Sequence, residues 1–257
     1  MTNYDKFNRE ERAICSHLFR LLHESLNKKG DSPFGRLINL VLERKIKFIN
    51  AGDMPNQLDF NNIGIYTEVA IIRDYFNINK TNPNSFMDKL VALIMRQERI
   101  TDDCRLYSRL DDPLNNPKKT HPKQIRQKAV DSKINLTKNE LRVYGAVQGM
   151  FNAKPDLVLT IDNKLIVVEA KFTEKFDNDQ LVRTRNIAQV WTELLFEEFG
   201  FTEKPDFAIV KLGASKFNAD INWKDICTLA RLVYPPEDRS MIAFDLGLKL
   251  LHDLDYE

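Results

Sequence analysis

Two acids and a lysine lie in the most strand-like part of the sequence. Asp156 precedes the apolar run LVLTI, and Glu169 and Lys171 lie in the run KLIVVEAKF. Asp162 and Asn163 between these runs favour a two-residue hairpin turn, because both residue types tolerate positive φ. With this turn, Asp156 faces Glu169 across the hairpin, and Lys171 lies on the same face of the sheet because strand side chains alternate.

The opposition of two acids points to cation binding. Directly opposed side chains have Cβ atoms about 4.5–5.5 Å apart, and two like charges at that distance destabilise a sheet. A hard divalent cation held by both carboxylates removes the repulsion, and the ammonium of Lys171 assists. The same register places Leu159 opposite Ile166, and the hairpin is otherwise apolar on both faces, as in a buried sheet. The alternative is an ordinary ion-pair cluster at a sheet end, but burial makes unpaired charge costly.

These residues resemble a known family. Pro155-Asp156, an interval of 12 residues and then Glu169-Ala170-Lys171 look like the motif of the PD-(D/E)xK nuclease superfamily, which includes many restriction enzymes and repair exonucleases. The motif is short, but its placement on two adjacent strands followed by a helix and another strand makes it more specific. The resemblance covers about residues 138 to 212. It implies an α/β fold with a restriction-endonuclease-like core, which is a central mixed β-sheet flanked by helices.

The resemblance also implies roles for the motif residues. Asp156, Glu169 and the carbonyl of Ala170 are expected to hold magnesium, for which manganese should substitute. Lys171 is expected to orient the attacking water or to help deprotonate it. The implied reaction is hydrolysis of phosphodiester bonds in DNA, and the chemistry agrees, because magnesium can both activate water and neutralise charge that develops on a phosphate.

Family members often carry a glutamine on the helix that follows the hairpin. Here Gln180 is the candidate, because it lies at the start of the face that periodicity directs towards the sheet. Arg183, one turn along, is a candidate phosphate contact. The alternative for Gln180 is a polar helix-start residue near an N-cap at Asp177 or Asp179.

Family members also commonly use a glutamate from an upstream helix. Glu68 is the better candidate for the site and for the metal, because it lies in the apolar stripe of a helix predicted over 63–76 and needs a partner there. Glu140 is the alternative, but Thr137-x-x-Glu140 reads as a capping box, which explains the acid without catalysis.

The wider pattern predicts three parts along the chain. Residues 1–100 are mainly helical, with helices over 9–26, 34–48, 63–76 and 84–99 that pack on the core. Residues 101–137 form a loop-rich basic connection, since proline and asparagine interrupt the pattern over 101–124. Residues 138–257 hold the nuclease core, with the hairpin, a helix over 179–199, a strand at FAIVKL that Pro205-Asp206 enters, and a C-terminal tail.

Composition bounds the class of protein. The chain has 257 residues, of which 43% are hydrophobic and 29% charged, as in a globular protein. No apolar run approaches the length of about 20 residues that a membrane span needs, and the start MTNYDKFNREER lacks the apolar stretch of a secretory signal, so we expect a cytoplasmic protein without a membrane partner. Cys15, Cys104 and Cys227 are odd in number and far apart, which favours reduced, buried thiols over zinc ligands or a disulfide framework.

A basic segment precedes the hairpin. Between residues 118 and 138, seven lysines and arginines stand against the single acid Asp131. Five of them are the candidate phosphate contacts Lys118, Lys119, Lys123, Arg126 and Lys128. The alternative is a solvated loop.

The expected partner is DNA, cut by an endonuclease of restriction or other anti-phage defence type that works as a homodimer. Two-strand cleavage needs two sites, and a symmetric dimer matches a palindromic target. The rivals are a repair or recombination exonuclease of the same superfamily and a nucleic-acid-binding protein without catalysis. RNA remains open as a substrate.

Neutralising Lys118, Lys119 and Lys123 together tests the basic segment. Each phosphate contact adds about one unit to the slope of log affinity against log salt, so the triple glutamine variant should bind all DNA sequences more weakly, with a slope flatter by up to about 3. Fluorescence anisotropy over a salt series measures both quantities. An unchanged affinity and slope would show that the segment is a solvated loop.

Overall fold

A computed structural model shows an α/β protein with a five-stranded mixed sheet flanked by helices. It describes residues 11–26, 35–37, 39, 63–68, 70–78, 83–101, 127, 130–131, 133–161, 163–172, 175–198 and 205–255. By proximity of Cα atoms the chain forms two compact units, each drawn from separate stretches of sequence. Unit 1 comprises Met1–Val69, Lys154–Arg185 and Glu203–Glu257, and unit 2 comprises Ala70–Ala153 and Asn186–Thr202. The linear division into 1–100, 101–137 and 138–257 stays a prediction.

Unit 1 contains the sheet, whose strands lie in the order β1-β2-β3-β4-β5. Antiparallel pairing joins β1 to β2 and β2 to β3, and parallel pairing joins β3 to β4 and β4 to β5. The strands are β1 Ile63–Tyr66, β2 Leu157–Ile161, β3 Lys164–Ala170, β4 Asp206–Gly213 and β5 Ile221–Asn222.

The register of the β2–β3 hairpin is the predicted one. Ile161 pairs with Lys164 and Leu159 with Ile166, and the ladder ends at Leu157 and Val168. Every residue of β3 is buried, which confirms that the hairpin lies in the interior of its unit. Because a shift by one residue would exchange the two faces of the strand, this register decides which face carries Glu169.

Helices cover one face of the sheet in unit 1. They are α1 Glu11–Leu26, α6 Trp223–Ala230 and α7 Arg239–Asp255. Alternate residues of the central strands, such as Leu159, Ile166 and Val210, pack with Leu18 of α1 and Phe244 of α7 in one apolar cluster. Glu169 lies between Val168 and Ala170, which both belong to this cluster, so alternation directs the Glu169 side chain to the opposite face.

The helix predicted over 63–76 is wrong in its first part. Residues Ile63–Tyr66 form the strand β1, which pairs with β2 from Ile63–Ile161 to Tyr66–Val158, and the helix α2 covers only Ile71–Ile78. The run IGIY has apolar residues at alternate positions, and Ile63 and Ile65 pack against the apolar cluster. So short a run fits either periodicity, and the pairing partner, distant in sequence, decides between them.

Unit 2 is helical in the part that the structure describes. Besides α2 it contains α3 Pro83–Gln97, α4 Lys138–Asn152 and the C-terminal part of α5, which spans Asn178–Glu198 and begins in unit 1. Aromatic rings join the helices, with centroids 4.6 Å apart for Tyr75 and Phe86 and 5.5 Å apart for Phe76 and Phe151.

Most of the other predicted elements lie within two residues of their observed bounds. The helices predicted over 9–26, 84–99 and 179–199 correspond to α1, α3 and α5, and Asp206 begins β4 as predicted. Of the helix predicted over 34–48, residues 35–37 and 39 are described and helical. The connection predicted over 101–124 lies outside the described residues except for its first residue.

Two further expectations concern membranes and cysteines. Within the described ranges, no helix is both long enough and apolar enough to cross a bilayer. Cys15 and Cys227 are buried and form no disulfide, as predicted, and Cys104 lies outside the described residues.

The capping box at the start of α4 predicts a measurable loss of stability for Thr137→Ala. The Glu140 amide donates to Thr137 Oγ1 at 3.2 Å, and the Thr137 amide donates to Glu140 Oε2 at 2.8 Å. Loss of the hydroxyl should lower the free energy of unfolding by about 1 kcal/mol, whereas Thr137→Ser should retain it. Urea denaturation measures the difference, and equal stability of the alanine and serine variants would contradict the role of the cap.

Candidate active site

The end of the β2–β3 hairpin brings Asp156 and Glu169 together. Asp156 lies one residue before β2, and Glu169 is the second-to-last residue of β3. The backbone amide of Ala170 donates to Asp156 Oδ2 at 2.8 Å, so the Asp156 carboxylate is held across the strand end beside Glu169. Backbone donors to a carboxylate orient it without adding a mobile partner.

The start of α5 holds Glu169 from the other side. Gln180 Nε2 donates to Glu169 Oε1, and Thr184 Oγ1 donates to Glu169 Oε2 at 3.4 Å. The two donors are four residues apart and therefore lie on one face of the helix. Asp177 caps this helix, because its Oδ1 accepts from the Asp179 amide at 2.9 Å. Gln180 thus contacts Glu169, as expected for the glutamine chosen from the sequence.

Burial and Asp156 change the acidity of Glu169. Glu169 is only 6% exposed, and burial together with the charge of Asp156 raises its pKa from 4.5 to about 7. The positive charge of Lys171 and the hydrogen bonds from Thr184 and Gln180 act in the opposite direction, and their effect is the smaller one. A buried acid with a raised pKa beside a second acid is the electrostatic environment that a cation relieves.

The backbone of Lys171 is fixed on both sides. Its amide donates to the Leu212 carbonyl at 2.8 Å, and its carbonyl accepts from Trp223 Nε1 at 3.0 Å. Trp223 begins α6 and is buried, so the apolar cluster anchors the residue that carries the ammonium. Lys171 is partly exposed, and its charge acts on Glu169.

A second lysine lies near Glu169 in the sheet but is engaged elsewhere. Lys211 of β4 is the pairing partner of Glu169 in the parallel ladder. Its Nζ donates to the Asn218 carbonyl at 2.6 Å and lies 3.6 Å from Asp220 Oδ1. Lys171, not Lys211, is therefore the lysine whose charge acts on Glu169.

Glu68 lies near Asp156, although not on a helix as predicted. It lies in a bend after β1 with a left-handed φ of 48°, a conformation that is uncommon for a residue with a β-carbon. Continuing the β1–β2 register by two positions brings Glu68 opposite Asp156. Both residues line a cleft of about 270 Å³, together with Cys15, Ser16 and Thr67.

The remaining sequence candidates do not join this cluster in the described part of the chain. Glu140 is buried at the start of α4, where the capping box accounts for it. Arg183 is exposed, and its guanidinium lies 3.9 Å from Asp177 Oδ2. The basic residues Lys118, Lys119, Lys123, Arg126 and Lys128 lie outside the described residues.

Sequence reasoning missed two residues of the site. Thr184 lies one turn beyond Gln180 on the face predicted to meet the sheet, so periodicity could have found it. Lys154 Nζ lies 3.6 Å from Glu68 Oε2, and no local pattern links these two residues.

The oxygen donors at the hairpin end fit a hard divalent cation. Two carboxylates and a strand-end carbonyl at Ala170 suit magnesium, which is commonly bound through one or two carboxylates and keeps several waters. Among the described residues, no group of three His, Cys, Asp or Glu side chains forms a ready cluster for a metal.

No family model matches this chain, and no curated protein or solved structure matches it.

The raised pKa of Glu169 predicts that Glu169→Gln changes the pH dependence of folding in the metal-free protein. An acid with a raised folded-state pKa stabilises the fold at low pH, and this contribution is lost as the pH rises from 4.5 to about 7. Glutamine does not ionise, so the variant does not lose stability in this way as the pH rises. Its free energy of unfolding relative to wild type should therefore rise by about 2 kcal/mol between about pH 5 and about pH 8.

Urea denaturation in EDTA at both pH values measures this change. Glu237→Gln, at an exposed acid, is the matched control and should show no such trend. A constant difference between Glu169→Gln and wild type across the range would contradict the burial of a titrating Glu169.

Proposed function

We propose that this protein is a magnesium-dependent DNA endonuclease with a restriction-endonuclease-like core. The observation that carries the proposal is the hairpin end, where the buried Glu169 lies beside Asp156 and Lys171 and has a pKa of about 7. The mixed sheet, with two adjacent strands followed by a helix and another strand, supports the same family as the motif. A restriction or anti-phage defence role follows the resemblance and is proposed by analogy.

In this proposal Asp156 and Glu169 hold the cation, and the Ala170 carbonyl and Glu68 offer further oxygen ligands. Bound magnesium would supply water activation at neutral pH and compensation for the charge that develops on the phosphate. Gln180 and Thr184 act as positioning residues, because their hydrogen bonds restrict the Glu169 carboxylate. The Ala170 amide does the same for Asp156.

Lys171 has the role closest to the reacting atoms. Its backbone is fixed between β4 and α6, so its ammonium extends from a rigid point beside Glu169. There it can orient the attacking water by a charge-assisted hydrogen bond and stabilise negative charge at the phosphate. Rigid anchoring limits the reorganisation that the transition state requires.

Asp156→Asn tests the proposal with supercoiled plasmid and linear DNA as substrates. Wild type with magnesium should nick or linearise the closed circle, and Asp156→Asn should lower the rate by at least about a hundredfold, because a neutral amide is a poor ligand for the cation. DNA binding by the variant should stay within a few-fold of wild type. Manganese should replace magnesium, and EDTA should abolish cleavage.

Glu237→Gln is the control for loss of one negative charge and should cleave like wild type. Consumption of linear DNA alone would favour an exonuclease. Cleavage that is indifferent to metal and to Asp156→Asn would contradict the enzymatic proposal, and light scattering with and without DNA would test the expected homodimer.

A further inference from the structure

An ion pair joins Lys154 to Glu68, which shares a cleft with Asp156 of the candidate site. Lys154 Nζ is 3.6 Å from Glu68 Oε2, and each side chain is 37% exposed. Glu68 lines the cleft of about 270 Å³ with Asp156, and Lys154 precedes Asp156 by two residues. A cation of the chain itself therefore neutralises an acid that shares a cleft with a proposed metal ligand.

The backbone conformation is constrained at both partners. Glu68 lies two residues after the end of β1, with a left-handed φ of 48° that is costly for a residue with a β-carbon. Lys154 lies between α4 and β2, where the following Pro155 restricts its backbone. The pair therefore links the chain before β2 to the chain after β1.

We propose that Lys154 is a tethered counter-cation that competes with the divalent metal for Glu68 and, when the metal displaces it, binds a phosphate oxygen of the DNA. The inference rests on the proposed function. An ammonium beside Glu68 repels a second cation in the same cleft and so weakens metal binding. Once displaced, the same ammonium remains on a residue two positions before Asp156, as a point charge suited to a phosphate.

If the contact is only an ordinary surface ion pair, the expected results differ. Pairs with this exposure contribute little, and their loss affects neither metal affinity nor DNA binding. Competition instead requires that Lys154 weakens the affinity for the metal only when Glu68 is present. It also requires that Lys154 contributes to DNA binding only when the metal is bound.

The first experiment measures Mn²⁺ affinity by isothermal titration calorimetry without DNA. Lys154→Gln should bind Mn²⁺ about three- to tenfold more tightly than wild type, because one nearby positive charge is removed. Lys154→Arg should resemble wild type, and Lys224→Gln, at an exposed lysine of α6, is the control for net charge. In a Glu68→Gln background the effect of Lys154→Gln should shrink to less than about twofold.

The second experiment measures the salt dependence of duplex DNA binding in a Lys171→Met background, which should prevent cleavage. With Mn²⁺, Lys154→Gln should flatten the slope of log affinity against log salt by about one unit, which corresponds to one lost phosphate contact. In EDTA the slope should not change, because Lys154 is then paired with Glu68.

Equal Mn²⁺ affinity of Lys154→Gln and wild type would overturn the competition. If Lys154→Gln flattens the slope of log affinity against log salt equally with Mn²⁺ and in EDTA, Lys154 contacts a phosphate at all times. That result would overturn the proposal that the metal displaces Lys154. If wild type binds no DNA, the proposed function and the phosphate contact both fail, whereas the calorimetry still decides whether Lys154 competes for Glu68. Circular dichroism checks that each variant is folded.

Discussion

The proximity of two acids at the buried end of a sheet is the constraint on which the rest of the site depends. Glu169 is almost fully buried, and the charge of Asp156 beside it adds to the cost of ionisation. Three groups limit that cost: the Gln180 and Thr184 side chains, which donate hydrogen bonds to Glu169, and the positive charge of Lys171. None outweighs burial, so Glu169 keeps a pKa near 7 and the site favours a further cation.

The two faces of the sheet have different roles, since one stabilises the unit and the other carries the candidate site. One face packs with α1, α6 and α7 in an apolar cluster, whose burial supplies the main stabilisation of unit 1. The other face carries Glu169 towards the start of α5. The cluster also serves the site, because Trp223 within it fixes the backbone of Lys171. A rigid sheet end with both acids and the lysine on short, anchored segments suits the precise positioning that the proposed reaction requires.

The chain path explains how distant residues meet at this end. Ala70–Ala153 of unit 2 lies in sequence between β1 and β2, yet these strands pair directly in the sheet. Their pairing brings the segment after β1 close to the segment before β2, so that Glu68 meets Lys154 and shares a cleft with Asp156. The bend after the edge strand β1 thus supplies the third acid of the region.

The sequence alone determined the hairpin and the identity of its acids. The two apolar runs and the Asp-Asn turn between them predict the observed register, and with it the opposition of Asp156 and Glu169, because both signals are local. The capping box of α4 and the placement of Gln180 follow from equally local rules. Tertiary structure alone decided that Ile63–Tyr66 is a strand, that Lys154 pairs with Glu68 and that Glu169 has a raised pKa. Each of these depends on partners or burial far along the chain, where a short apolar run or a single charge carries no local signal.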